Sequence, residues 1–182
     1  MKKIVILGGG TGGTAIANKL RKALSRDEWE ITVIDRDDKH IYQPGLLFVP
    51  FGLCTVESII KSRKKFISNG INFIIDPIKR VNHENNRVET KGGSFDYDWL
   101  IIGTGCRLAP EENEGLMDEW GKNAFSFYTP ETAESLRHAI AGFKGGKLVM
   151  NVAELPFKCP VAPIEFIFLA DWYFRQKGIR DK

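Results

Sequence analysis

The chain has 182 residues, enough for one good-sized domain or two small ones. Its 43% hydrophobic and 27% charged residues are ordinary for a globular chain and argue against disorder. A net charge of +3, with no basic stripe interleaved with aromatics, argues against nucleic acid as a partner.

Ile4-Val5-Ile6-Leu7 is a short continuous apolar run, as expected of a strand covered on both faces. Glycines fill Gly8 to Gly13. Ala15, Ile16, Leu20, Ala23 and Leu24 then recur at helical spacing, and a second apolar strand, Ile31 to Ile34, ends at Asp35. Such a β-α-β unit builds parallel sheet. Gly8, Gly10 and Gly13 form G-x-G-x-x-G around Thr11 and Gly12. The first glycine permits a tight turn, the second lets a pyrophosphate approach the backbone, and the third lets helix and strand pack closely. The free amides of the helix N-terminus then favour a phosphate. Asp35 lies 22 residues past Gly13, where an acid accepts hydrogen bonds from ribose hydroxyls, with Arg36 beside it. Strand, loop, helix and acid together read as a dinucleotide site. An acid at this position disfavours a 2′-phosphate, and the glycine pattern leaves FAD and NAD both open.

Lys39 to Cys54 is rich in proline, glycine and aromatics without a period, and reads as a functional loop. Glu57 to Asn69 reads as a helix, with Ile59, Ile60, Phe66 and Ile67 inward and the basic run Lys61, Arg63, Lys64 and Lys65 on a solvated outer face. Ile71 to Ile102 gives several short strands broken by Asp76-Pro77, Asn85-Asn86 and Gly92-Gly93, as in an antiparallel meander. Leu100-Ile101-Ile102 returns as a buried strand before Gly103-Thr104-Gly105. Residues 107–124 are loop-like and acidic. Thr129 to Phe143 is a helix opened by Thr129-Pro130-Glu131. Lys147 to Val152 is another buried strand, Ala153 to Pro160 a loop, and Pro163 to Lys177 a buried helix stopped by Gly178.

The segment Tyr97-Asp98-Trp99-Leu100-Ile101-Ile102-Gly103-Thr104-Gly105 resembles the closing part of the FAD domain in flavoproteins of the pyridine nucleotide-disulfide oxidoreductase superfamily, with Gly103 where that segment carries alanine. Phe157-Lys158-Cys159-Pro160-Val161-Ala162-Pro163-Ile164-Glu165 is similar to a stretch of sulfide:quinone oxidoreductases and of flavocytochrome c sulfide dehydrogenase. The resemblance runs in order over essentially the whole chain. It implies an α/β fold: a Rossmann-type FAD-binding domain, with parallel sheet plus antiparallel meander, over residues 1–107, and the start of a second Rossmann-like domain over 108–182. It implies FAD as cofactor, sulfide and a quinone as substrates, and Cys159 as one of a redox pair that takes up sulfur. It also places Gln43 and Pro44, in Tyr42-Gln43-Pro44-Gly45, near the isoalloxazine ring, Ile78 against the adenine, and Thr104 and Gly105 in the cofactor site.

The physics of the second glycine-loop position agrees. Glu154 to Pro163 holds no glycine and three prolines, so a backbone cradle for NADH is hard to build there. Cys159 precedes a helix and follows Lys158, surroundings that favour a thiolate; a free cysteine at such a junction is otherwise most often a small buried residue. Cys54 and Cys106 read as structural or incidental. Three cysteines are too few and too dispersed for a disulfide framework, and His40, His83 and His138 form no metal ligand set.

Departures from the family pattern matter too. Tyr128 stands where many members carry a third cysteine. The partner of Cys159, a Gly-Asp motif for the flavin ribitol and the membrane-binding C-terminal helices fall beyond Lys182 in the family. The 182 residues alone are therefore expected to be inactive, with an unpaired sheet edge near Leu100–Ile102 and an uncovered aromatic helix that invite homo-oligomers. With no signal peptide and no run of about eighteen uncharged apolar residues, a cytoplasmic or peripheral membrane location is expected. The alternatives are an FAD-dependent NADH dehydrogenase and a catalytically inert nucleotide-binding domain.

Overall fold

The computed structural model describes residues 1–155 and 157–182. The chain divides into two compact units, Met1–Ile41 with Ile60–Arg107, and Tyr42–Ile59 with Leu108–Lys182.

The first unit is built on the parallel pair read from the sequence. Strand β1 (Lys2–Leu7) and strand β2 (Trp29–Asp35) pair with Ile4 opposite Ile31 and Leu7 opposite Ile34. Helix α1 (Thr11–Ala23) connects them. Successive strand side chains point to opposite faces. Ile4, Ile6, Ile31 and Val33 therefore meet Ala17 of α1 on one face, while Val5, Leu7 and Ile34 meet Val88 on the other. Arg21 closes the end of α1 by donating to the carbonyls of Leu24 (2.6 Å) and Trp29 (3.0 Å).

After β2, strand β3 (Lys39–Ile41) pairs antiparallel with strand β4 (Ile60–Ser62). The segment expected as one helix from Glu57 to Asn69 is thus three pieces: a single helical turn, β4, and a 3-10 turn over Arg63–Phe66. Tertiary partners override the helical pattern here. The Arg63 N–H donates to the Asp38 carbonyl (2.8 Å), and the Asp38 carboxylate accepts from the Ser62 hydroxyl (2.7 Å) and the Lys64 N–H (3.1 Å). Strand β5 (Asn72–Ile75) joins the main sheet parallel to β2, not the meander. The meander is β6 (Ile78–Asn82), β7 (Arg87–Thr90) and β8 (Ser94–Asp96). Strand β9 (Trp99–Ile102) returns parallel to β1, giving the order β5-β2-β1-β9. The expected unpaired edge near Leu100–Ile102 is present, and the expected burial of that strand is not. β9 is the sheet edge, with Trp99 61% and Ile102 67% exposed, because β1 covers only one of its sides.

The second unit consists, among the described residues, of helices and 3-10 turns. The latter cover Gln43–Leu47 and Val49–Phe51 of the loop read as functional, and α2 (Val56–Ile59) and α3 (Leu116–Glu119) are single turns. Helix α4 (Pro130–Gly142) starts where its sequence signal puts it. The Thr129 hydroxyl accepts from the Thr132 N–H and the Thr132 hydroxyl accepts from the Thr129 N–H, each at 3.2 Å. Helix α5 (Ala162–Gln176) buries a stripe at four-residue spacing, Phe166, Ala170 and Phe174. Phe166 stacks on Phe127 at 5.1 Å and meets Phe51 at 5.2 Å. The opposite face is open, Ile167 at 51% and Phe168 at 71% exposed, so the helix is half covered rather than buried throughout. Lys147–Val152, expected as a buried strand, is irregular and exposed, Val149 at 70%. An apolar run becomes a strand only where its N–H and C=O groups find partners, and no described residue pairs with this one.

Replacing the fully covered Ile6 with alanine is expected to cost about 2–5 kcal/mol, read from the urea midpoint at unchanged slope. Ile102→Ala, at the open edge, should stay within about 0.5 kcal/mol. Equal losses at the two positions would mean that β9 is covered in solution.

Candidate functional site

The glycine loop joins β1 to α1. Gly8 adopts φ +89°, and a Cβ on it would come within 2.4 Å of the Gly103 carbonyl oxygen. A Cβ on Gly13 would lie 1.8 Å from the Gly8 oxygen, so the turn closes only without side chains. Gly10 caps α1, its carbonyl accepting from the Thr14 N–H at 2.9 Å. The N–H groups of Thr11, Gly12 and Gly13 belong to the first turn and have no carbonyl four residues back within the helix. Side chains at Gly10 or Gly12 would meet nothing within 4 Å, and no acidic residue sits in the first turn of α1. Open space over a helix N-terminus free of negative charge suits a pyrophosphate. These residues fit the adenosine-diphosphate half of a dinucleotide.

Asp35 closes β2 beside this loop. Its Oδ2 accepts from the Gly9 N–H (2.6 Å), its Oδ1 from the Arg36 N–H (2.7 Å), and Arg63 forms an ion pair with Oδ2. Burial pushes the Asp35 carboxyl up, but Arg63 and the two amides more than reverse this and hold it below the usual carboxylate value. Arg63 is the residue that sequence reading misplaced. It was expected on a solvated face, yet its side chain is 8% exposed. No local signal finds it: strand alternation from Ile60 would set Arg63 on the exposed face of Lys61, and it is the 3-10 turn opening at Arg63 that brings its side chain inward. Arg36, by contrast, is 82% exposed and lies 3.6 Å from Asp37.

Ile78 opens β6 and packs against the cluster of Val5, Leu7, Ile34 and Val88. It follows closely on Asp76, whose N–H donates to the Asp35 carbonyl at 2.8 Å. Thr104 and Gly105 follow β9, and Gly105 takes φ +74°. The first unit thus brings together the loop glycines, Thr11, Asp35, Arg36, Ile78, Thr104 and Gly105.

Gln43, Pro44 and Cys159 belong to the second unit. Gln43 and Pro44 open the first 3-10 turn. Cys159 is exposed and takes φ +58°, a left-handed conformation that few non-glycine residues adopt. Its carbonyl accepts from the Ala162 N–H at 3.2 Å, so it stands just ahead of α5 rather than on it. The Lys158 ammonium lies 5.9 Å from the Tyr128 ring centroid. Among the described residues the buried Tyr128 hydroxyl has no hydrogen-bond partner, and burial, followed by the neighbouring Cys159, holds this phenol above its ordinary value. Cys54 donates from its thiol to the Gly45 carbonyl at 3.2 Å and is pushed up by burial, while Cys106 is exposed. Pro156, one of the three prolines expected to spoil a backbone cradle, lies outside the described residues.

A parallel sheet, a glycine loop closing on a helix N-terminus and an acid at the end of the second strand define a dinucleotide-binding α/β protein. The chain belongs to the pyridine nucleotide-disulphide oxidoreductase family, whose profile matches residues 2–149. It is 34% identical over 99% of its length to the mitochondrial sulfide:quinone oxidoreductase of Dictyostelium discoideum and spans 40% of that relative. The type II NADH:quinone oxidoreductase of Staphylococcus aureus is 31% identical over 76% of the chain, which spans 34% of it. The crystal structure of the sulfide:quinone oxidoreductase from Aquifex aeolicus superposes with a TM-score of 0.78 at 26% identity, over 99% of this chain and 41% of that one.

Asp35→Ala is expected to cost about 3–5 kcal/mol at neutral pH, because it leaves the buried Arg63 charge without its main partner. The sign with pH is fixed by the lowered Asp35 value. Its contribution is complete above the ordinary 3.8 and is lost as pH falls through the lower folded value. The gap between wild type and variant in urea denaturation should therefore narrow below about pH 4. A gap that stays constant into strong acid would rule out the charge pair as its source.

Proposed function

We propose that this chain carries the nucleotide-binding part and the sulfur-accepting cysteine of an FAD-dependent oxidoreductase that oxidises sulfide and reduces a quinone. The observation that supports this most is how far each match extends. The family profile stops at residue 149, short of Cys159. The likeness to the type II NADH:quinone oxidoreductase covers 76% of the chain. The likeness to the sulfide:quinone oxidoreductase covers 99%, and so takes in the Cys159 loop.

In this reading the amides of Thr11, Gly12 and Gly13 receive the pyrophosphate of FAD and Asp35 its ribose, with Ile78 beside the adenine. Gln43, Pro44, Thr104 and Gly105 serve the remainder of the cofactor. Bound FAD supplies a two-electron acceptor. Cys159, exposed to solvent, receives the sulfur from its disulfide with the partner cysteine of the redox pair: HS⁻ attacks Sγ, the S–S bond breaks with the partner leaving as a thiolate, and the S–H proton is released, so Sγ carries a persulfide and the two electrons rest on the partner thiol. Lys158 supplies positive charge beside an anionic nucleophile. With the acceptor included, HS⁻, a proton and a quinone give zero-valent sulfur and a quinol. Sulfide comes from water and a quinone from lipid, so the enzyme works peripherally at a membrane; no helix among the described residues is long and apolar enough to cross one.

The second reading, an NADH-oxidising quinone reductase, draws on the S. aureus likeness but lacks a glycine cradle between 153 and 163. Adding sulfide or NADH anaerobically to the purified flavoprotein that contains this chain separates the two. Sulfide should bleach the flavin, and Cys159→Ser should abolish that bleaching with flavin still bound. Bleaching by NADH alone, or a serine variant reduced at the normal rate, would overturn the proposal.

A further inference from the structure

Arg63 has no part in the function proposed above, yet it is the most deeply covered charged side chain around the glycine loop. One guanidinium nitrogen, Nη1, pairs with Asp35 Oδ2 and donates to the Asp37 carbonyl at 3.1 Å; Nη2 donates to the Lys39 carbonyl at 2.5 Å and lies 3.5 Å from Asp37 Oδ1. Nε is buried and has no partner among the described residues. The side chain runs directly under the loop, since a Cβ on Gly9 would lie 2.6 Å from its Cδ.

The consequence for Asp35 is directional. A carboxylate offers about four acceptor positions. Oδ2 accepts from Gly9 and Arg63, which leaves it facing the loop, whereas Oδ1 accepts only the Arg36 N–H among the described residues and keeps a free direction. With Nη2 anchored on the Lys39 carbonyl, the planar guanidinium holds Nη1 on Oδ2 in a fixed direction that a lysine could not match. We infer that Arg63 is a positioning residue of the nucleotide site: it fixes the Asp35 carboxylate with Oδ2 bound inward and Oδ1 presented to a ribose hydroxyl. This rests on the dinucleotide reading of the loop.

The charges around the pair are consistent with that role. Asp37 shares Arg63 from the segment after β2, and Arg36 turns its own charge to solvent. Asp38 is occupied by Ser62 and Lys64. His40 of β3 lies tilted against Phe66 at 4.5 Å, and burial, then the charge of Arg63, lowers its pKa, so it adds no second cation near neutral pH.

The test is calorimetric titration of the 182-residue chain with ADP from about pH 4.5 to 8, for wild type and the Asp35→Asn, Arg63→Lys and Arg63→Met variants. Affinities are compared as ratios to wild type at each pH, so that ionisation of ADP cancels. Arg63→Met should bind about tenfold more weakly near neutrality. Its deficit should widen as the pH falls, because losing Arg63 removes the main influence that holds the Asp35 carboxyl down while burial still pushes it up. Arg63→Lys should lie between the two and show the same trend, which keeps the test open should the methionine variant fail to fold. An Arg63 variant that binds like wild type, or one with the same deficit at every pH, overturns the inference and leaves Arg63 a scaffold residue. Unchanged binding by Asp35→Asn would instead overturn the assignment of the nucleotide site to Asp35.

Discussion

The ion pair between Asp35 and Arg63 is the constraint on which the first unit depends. Two opposite charges are taken out of water beneath a glycine loop, and neither can be left alone there without a cost of several kcal/mol. Their meeting fixes three backbone segments at once: the end of β2, the arm formed by β3 and β4, and the loop at Gly9, whose N–H shares the same carboxylate oxygen. Gly9 is needed for a reason unrelated to backbone freedom, since any Cβ would strike the Arg63 stem. An apparently generic glycine-rich turn is in this way tied to a basic residue more than fifty positions away.

Much of this was legible in the sequence where the signal is local. The apolar runs of β1 and β2, the glycine spacing and Asp35 follow from chain-local rules, and their parallel pairing came with them. The start of α4 was legible too, because Thr129 and Pro130 act within one helical turn. What was not legible depends on partners distant in sequence. Glu57 to Asn69 carries a helical pattern, but Asp38 captures the backbone of Arg63 and Lys64, and β3 captures Ile60 to Ser62. Arg63 looked like one member of a solvated basic run, since nothing in Lys61 to Lys65 marks which side chain turns inward. Leu100–Ile102 and Lys147–Val152 are apolar enough for buried strands, but burial depends on neighbours. One strand forms as an edge beside β1, and the other run has no described partner.

The second unit presents a different kind of site. Cys159 is an exposed thiol on a left-handed residue ahead of α5, with Lys158 placed over the Tyr128 ring and a buried Tyr128 hydroxyl that has no partner among the described residues. Cys54, by contrast, is tied to the Gly45 carbonyl and held in its neutral form by burial. Exposure therefore separates the cysteine assigned a chemical role from one that packs.

A crystal structure of the chain with ADP bound tests the central claim most directly. The pyrophosphate should lie against the amides of Thr11, Gly12 and Gly13, and a ribose hydroxyl should donate to Asp35 Oδ1 while Arg63 keeps its place beneath Gly9. A nucleotide seated elsewhere, or an Arg63 swung out to meet the phosphates, would contradict the claim that this buried pair builds the nucleotide site.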